Sequence, residues 1–425
     1  GVTFNFGQDS TFAGATAAGG NADGNGIGDF KYSPRTGFLA LCTKNLSEST
    51  INTSQDDRPE DYFTTTLYVG DNSNDRTIPI GFTPDFVWLK ARNSTATHIL
   101  YDSIRGNTHW ISIAGNSGQS TNSSLGWGDS GPTTGGFKVY KGTNASINNT
   151  GTNMVAWTWK AGGAPTATNS AGAGAVPTSG SVMINGVAST SALAGTNPVN
   201  KLSANTKSGF SIVNYTGDAA NTTKAHGLGK KPSFVICKKT GATGGWVTWH
   251  QDLDGTENDK YMYIDSVSGT TAGTTSDYWS GGFDANVFGG WTSGGDNNNT
   301  GSDYIAYVWA EIDGFSKFGS YTGNANASGP YVHCGFKPSF VLMANTSLNV
   351  TWYLIDNKIG NNGGNSTPGK FLMPSNNNTE DTPTGVDFLA NGFKIKTTGG
   401  GQNGSGQKHI FMAFAEDPFK YAEAK

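Results

Sequence analysis

GFTPDFVWLK, residues 81–90, is a turn followed by a short run in which Phe86 and Trp88 share one side and Val87 and Leu89 the other. That is the pattern of a strand buried on both faces. Pro84 stands just ahead of the run, where its missing N–H removes no ladder bond. The same string returns as GLGKKPSFVICKK at 227–239 and as GFKPSFVLMA at 335–344. Three versions of one strand make self-similarity the first question, because a repeat decides architecture before any single motif does.

The copies extend well beyond that strand. Each is preceded by a Tyr-x-Gly pair, at Tyr68/Gly70, Tyr215/Gly217 and Tyr321/Gly323. Each is followed by a polar residue closing an aromatic-rich stretch: Asp102, His250 and Asp356. Each then ends on an alternating aromatic strand, VAWTW to Trp159, IAYVW to Trp309 and IFMAF to Phe414. From Pro84, Pro232 and Pro338 to those closing aromatics the separations are 75, 77 and 76 residues. Chance does not keep three spacings so close, so the chain reads as a unit of about a hundred residues used three times.

The 425 residues are 35% hydrophobic and only 14% charged, with 61 glycines, so polarity comes from Gly, Ser, Thr and Asn. Such a chain suits short strands and tight turns, not long surface helices. An aromatic content of 12% excludes a disordered chain. The expected fold is all-β: three tandem β-sandwich repeats of jelly-roll or lectin-like type, with an extended β arm between the first two. The expected boundaries are 62–161, 208–315 and 316–425 for the repeats and 162–207 for the arm. Residues 1–61 form a leading segment. The arm is rich in Gly, Ala, Ser and Thr and has almost no aromatics, so it builds no core of its own. Its SVMINGV string, with Asn185-Gly186 between β-branched residues, predicts a hairpin docked on a neighbour.

Several function classes drop out. Net charge is −4 with no Lys/Arg cluster, which gives no footprint for nucleic acid. No apolar run approaches the roughly 20 residues of a membrane helix. The three cysteines, Cys42, Cys237 and Cys334, are far apart and read as reduced structural thiols. Gly1 opens in mid-pattern, which points to a fragment or a processed product. The Asn-x-Ser/Thr triplets at Asn93, Asn144, Asn221 and Asn345 are what this composition yields by itself.

Longer strings carry a resemblance. NFGQDSTFAG and YSPRTGFLALCTKNL within 3–46, VAWTWKAGGAPTATNSAGAG at 155–174 and AEIDGFSKFGSYTGNANASGPYVHCGFKPSFVLM at 310–343 resemble virion structural proteins of tailed phages, marine and cyanobacterial ones above all. The ending FMAFAEDPFKYAEAK is similar to that family's C-terminus. The first segment resembles the last strands of a SPRY-like domain. The resemblance implies a tail fibre or other exterior appendage acting in host attachment and located on the virion. It also implies a homo-oligomer, a trimer foremost, that contacts other virion proteins and a host-surface glycan. It supplies no catalytic residues and no cofactor. A capsid decoration or cement protein and a polysaccharide-degrading tailspike are the alternatives.

Candidate sites follow from the loops, which carry function more often than framework strands do. Trp127, Trp279 and Trp291 lie in Gly/Ser-rich stretches outside the repeated strands and are candidates for stacking on sugars. Asp252, Asp254, Glu257 and Asp259 in DLDGTEND are candidates for a calcium loop, although the glycine and final glutamate of an EF-hand are missing. A glycosidase needs two converging carboxylates. Asp102, Asp356, Glu311 and Glu416 are acidic, but Asp102 and Asp356 recur at one repeat position that is His250 in the second copy. Such recurrence suits a strand-end hydrogen bond, and the chain is expected not to be an enzyme.

Overall fold

The computed structural model describes residues 4, 6–42, 45, 51, 58–121, 130–140, 147–253, 257–266, 273–274, 277–292, 294–348, 351–360, 369–382 and 385–417. Over these the protein is an all-β fold of packed sheets, with helices of a single turn.

The first unit contains β1 (Phe63–Val69), β2 (Arg76–Pro79), β3 (Phe86–Ala91), β4 (Ile99–Asp102), β5 (His109–Ser112), β6 (Ser120–Thr121), β7 (Gly131–Thr133), β8 (Gly136–Val139) and β9 (Asn153–Trp159). Its large sheet runs β1-β9-β3-β4-β5-β6 and its small sheet β2-β8-β7. Next come the arm strands β10 (Val182–Ile184), β11 (Val187–Ala188) and β12 (Val199–Asn205). The second unit has β13 (Phe210–Thr216), β14 (Lys224–Ala225), β15 (Phe234–Lys239), β16 (Val247–His250), β17 (Lys260–Tyr263), β18 (Gly273–Thr274), β19 (Ser280–Phe283), β20 (Val287–Gly290), the one-turn α1 (Gly295–Asn298) and β21 (Asp303–Trp309). The third has β22 (Ser316–Thr322), β23 (Tyr331–His333), β24 (Lys337–Asn345), β25 (Tyr353–Asp356), β26 (Val386–Leu389), β27 (Gly392–Ile395), α2 (Gly400–Asn403) and β28 (Lys408–Asp417). The order β1-β9-β3-β4 recurs as β13-β21-β15-β16 and as β22-β28-β24-β25. The small sheets recur as β14-β20-β19 and β23-β27-β26.

In each unit the closing strand lies between the first strand and the signature strand. Phe86 is registered with Trp159, Phe234 with Trp309 and Phe340 with Phe414. The signature strands are buried on both faces because each large sheet is covered twice. One face packs on the small sheet of its own unit: Val87, Leu89 and Tyr101 meet Ile78, Phe137 and Val139. The opposite face joins the other two units in one shared core, where Phe86, Trp157 and Trp159 meet Phe234, Tyr307, Trp309, Phe340 and Phe414. Three sandwiches thus close around a common centre.

Hydrogen bonds tie each unit to the next around this centre. The Tyr307 hydroxyl of the second unit donates to Asp102 of the first at 2.8 Å. His250 of the second donates to the Phe411 carbonyl of the third at 3.0 Å. The Trp157 indole of the first donates to Asp356 of the third at 2.9 Å. Partner chemistry matches: the carboxylates meet Tyr and Trp donors, whereas the closing strand facing His250 has Met412 at the equivalent position and offers a backbone oxygen. A second set runs the other way. Trp246 donates to Ser112 O at 2.9 Å, Trp352 to Tyr263 O at 3.1 Å and His98 to Met373 O at 3.1 Å. Both histidines are neutral, with the second ring nitrogen accepting from Trp88 Nε1 and from the Asp252 N–H. Burial holds His98 well below the usual imidazole range and brings His250 down to about 4.

The Tyr-x-Gly pairs anchor the loop that enters each closing strand. The three tyrosine hydroxyls donate to Ile147 O, Asn297 O and Gln402 O. The glycines are demanded by a close approach: a Cβ on Gly70, Gly217 or Gly323 would lie 2.0, 2.4 or 2.3 Å from a carbonyl oxygen of that loop. Two residues on, Asn72, Ala219 and Ala325 all take positive φ, at 57°, 50° and 51°. An alanine there is strained by its Cβ. Ala325→Gly at this exposed position is expected to raise stability by about 0.5–1 kcal/mol, read as a higher urea midpoint at unchanged slope.

The arm forms the hairpin its Asn-Gly step predicts. Ile184 pairs with Val187, and Asn185 and Gly186 take φ of 52° and 84°. It docks within the chain: β10 lies parallel to β12, and β12 runs antiparallel to β13, so the arm widens the second unit's large sheet.

Candidate functional site: the cleft between the first unit and the arm

A cleft of about 590 Å³ opens where the chain leaves β9 and enters the arm. Its walls are the head of β3 (Pro84, Asp85), the turn after β4 (Ser103, Gly106, Asn107), residues 160–164, the hairpin turn Asn185-Gly186, and Asn205 with Lys207. Asp85 organises it. Its carboxylate accepts the N–H groups of Ala161 at 2.7 Å and Gly163 at 3.2 Å, which fixes the backbone leaving β9. Burial pushes the Asp85 carboxyl up, while those amides and nearby Lys160 pull the other way.

Gly162 admits the arm. A Cβ there would lie 2.3 Å from Met183 O and 2.5 Å from Ala204 O, and its N–H donates to Ser203 Oγ at 2.9 Å. Asn205 Oδ1 accepts the Lys207 and Ser208 amides, each at 3.0 Å, and so turns the chain at the cleft rim. The Lys160 ammonium sits 5.5 Å from the centre of the Tyr62 ring. The walls therefore include two lysines, Lys160 and Lys207, and three asparagines, Asn107, Asn185 and Asn205. Asp85 is buried and accepts two main-chain amides, so its carboxylate serves to hold the cleft wall in place.

The residues expected from sequence fall elsewhere. Trp127 lies outside the described residues. Trp279 is a correction: it is wholly buried, and its indole donates to Lys260 O at 2.9 Å. The cause is local, since Gly281 and Gly282 take φ of 85° and 66° and the β19–β20 register shifts beside them, turning the ring inward. Trp291 is half-buried with its ring 5.0 Å from that of Tyr278, so it too joins the second unit's core. Trp279 therefore has no face open to a sugar, whereas Trp291 keeps part of its surface exposed.

Among the acidic candidates, Asp259 accepts the Asp277 N–H at 2.9 Å, and Asp252 gives its own N–H to His250. Asp254 and the side chains of Glu257 and Glu416 lie outside the described residues. Among the described residues no three His, Cys, Asp or Glu converge as metal ligands. Asp102 binds Arg105 at 2.6 Å and Asp356 accepts the Lys358 and Ile359 amides at 2.7 and 2.8 Å. Glu311 pairs with Lys317 at 2.7 Å. Sequence reasoning missed Asp85. The available signal was that Pro-x-Phe carries Asp85 in the first copy but Ser233 and Ser339 in the others.

No curated protein matches the chain. Residues 58–418 match a family described as a domain of unknown function, DUF7483. That span holds all three sheet pairs, the arm and the cleft, and the chain therefore belongs to the DUF7483 family.

Proposed function

We propose that the chain is a non-enzymatic structural module of a tailed-phage particle, carried on an exterior appendage such as a tail fibre. In this reading the cleft beside Asp85 makes a weak contact with a host-surface saccharide. The observation that supports it is where the recurrent polar side chains go. Asp102, His250 and Asp356, the most conspicuous chemistry-bearing positions of the repeat, all bind one unit to the next. A rigid body with its ionisable groups so committed suits display and load-bearing. Lysines and asparagine side chains in the cleft suit an acidic or hydroxyl-rich sugar. Further copies of the chain, a homotrimer foremost, and other virion proteins are its partners, and oligomerisation multiplies a weak contact.

Gold-labelled antibody against the chain is expected to mark the tail appendage in electron micrographs. Label on the capsid shell would instead make it a decoration protein. On a glycan array the oligomer is expected to bind, and Lys160→Ala to weaken that binding about tenfold. Silence of the native protein there defeats the saccharide contact. Release of reducing ends from host polysaccharide defeats the non-enzymatic reading.

A further inference from the structure

The second unit departs from the others at two facing positions of its small sheet. β2 and β23 set Ile78 and Val332 opposite Phe137 and Phe393, but β14 sets Lys224 opposite Phe288. Two residues beyond those phenylalanines, the first and third units have buried Val139 and Ile395, whereas the second has Gly290. The two changes complement each other. A Cβ on Gly290 would lie 2.8 Å from Lys224 Nζ and 3.0 Å from Asn298 Cγ, so the glycine opens the space that the lysine head group fills.

Lys224 and Asn298 are both wholly buried, and Nζ lies 2.9 Å from Asn298 Oδ1. The amide's orientation is unambiguous. Nδ2 donates to Asp218 Oδ1 at 3.0 Å and to the carbonyls of Ala220 and Trp291, each at 3.3 Å. Oδ1 accepts the Asp218 N–H at 3.3 Å. The second Asp218 oxygen accepts Thr222 Oγ1 at 2.6 Å, which holds the carboxylate in place. Burial lowers Lys224 to about 8 against the attraction of Asp218, so a share of the amine is unprotonated near neutrality. A buried amine, a primary amide and a carboxylate thus meet in one apolar pocket, beside the Tyr215 ring at 5.2 Å.

We propose that Lys224 and Asn298 join in an intramolecular isopeptide bond, with Asp218 relaying the proton. The Nζ lone pair attacks Asn298 Cγ, and charge gathers on Oδ1, which the Asp218 N–H stabilises. The Asp218 carboxylate takes a proton from Nζ and passes it to Nδ2. The Cγ–Nδ2 bond then breaks, its electron pair leaving with nitrogen as ammonia, and the carbonyl reforms. Amine and primary amide become a secondary amide and ammonia, with no oxidant, reductant or cofactor. Asn148 and Asn403 hold the equivalent place in the other units, but they have Ile78 and Val332 in place of the lysine. The bond is therefore confined to the second unit, where it ties β14 to α1.

Intact-mass measurement of the purified full-length chain tests this directly. The chain is expected to be lighter than its sequence mass by one ammonia, and a tryptic digest to yield one branched peptide joining Lys224 to Asn298. Lys224→Arg is expected to restore the full mass, and Asp218→Asn to leave most of the chain unlinked. An unshifted native mass, with Lys224 and Asn298 recovered in separate linear peptides, overturns the proposal whatever the variants do. Loss of ammonia without the branched peptide overturns it equally.

Discussion

Asp102→Ala is expected to destabilise the protein by about 3–5 kcal/mol, because it strands a buried cation. The Arg105 side chain is only 5% exposed, and its Nε lies 2.6 Å from the carboxylate. The remaining guanidinium contacts, to Leu100 O at 3.1 Å and to the Tyr307 hydroxyl at 3.3 Å, are to neutral groups and supply no counter-charge. The Tyr307 hydroxyl also loses its acceptor across the boundary between units. The measurement is a denaturant titration at neutral pH. Replacing both partners, Asp102→Ala with Arg105→Met, is expected to recover much of the loss, since the buried charge goes with its partner. A single substitution costing under about 1 kcal/mol would show that the pair is solvated and idle.

Trp159→Ala is expected to cost a comparable 3–5 kcal/mol, for a different reason: the cavity it leaves has walls from all three units. The indole centre lies 4.8 Å from Phe63 and 5.5 Å from Phe86 in its own unit. It lies 6.1 Å from Trp309 in the second and 5.7 Å from both Phe340 and Phe414 in the third. No one unit can collapse to fill such a space. Calorimetry is expected to show one transition moving down in temperature for the whole protein. A variant that unfolds in separate steps, with the second and third units unmoved, would contradict a shared core.

Much of the β architecture was legible from side-chain alternation. Phe86/Trp88 against Val87/Leu89 announces a strand covered on both faces, and Asn185-Gly186 announces the hairpin. What alternation does not carry is the identity of the cover. Trp157 and Tyr304 are equally apolar in sequence, yet the first faces the common centre and the second its own small sheet. Strand periodicity separates the faces and is silent about their partners. The sites were less legible. Trp279 sits in a glycine-rich stretch that looks like a loop tip, but those glycines let the backbone bulge and carry the ring inside. Asp85 and Lys224 escaped because each departs from its repeat, Asp85 against Ser233 and Ser339 and Lys224 against Ile78 and Val332, and such a departure stands out only when the copies are aligned. The arm's destination was similarly open, since a hairpin signal fixes a turn and leaves its docking edge unstated.

The closed circuit of bonds around the centre has a consequence for synthesis. The third unit contributes Phe340 and Phe414 to the common core, and Phe414 lies near Asp417, the end of β28 and the last strand among the described residues. While the ribosome is still extending the chain, the first two large sheets each have an aromatic wall with its third side missing. Nascent protein therefore holds a sticky, unsealed flank until β28 has left the ribosome, a state that favours helper proteins or slow production. Release of β28 acts as the keystone: it converts two half-finished walls and an edge into a sealed body at once.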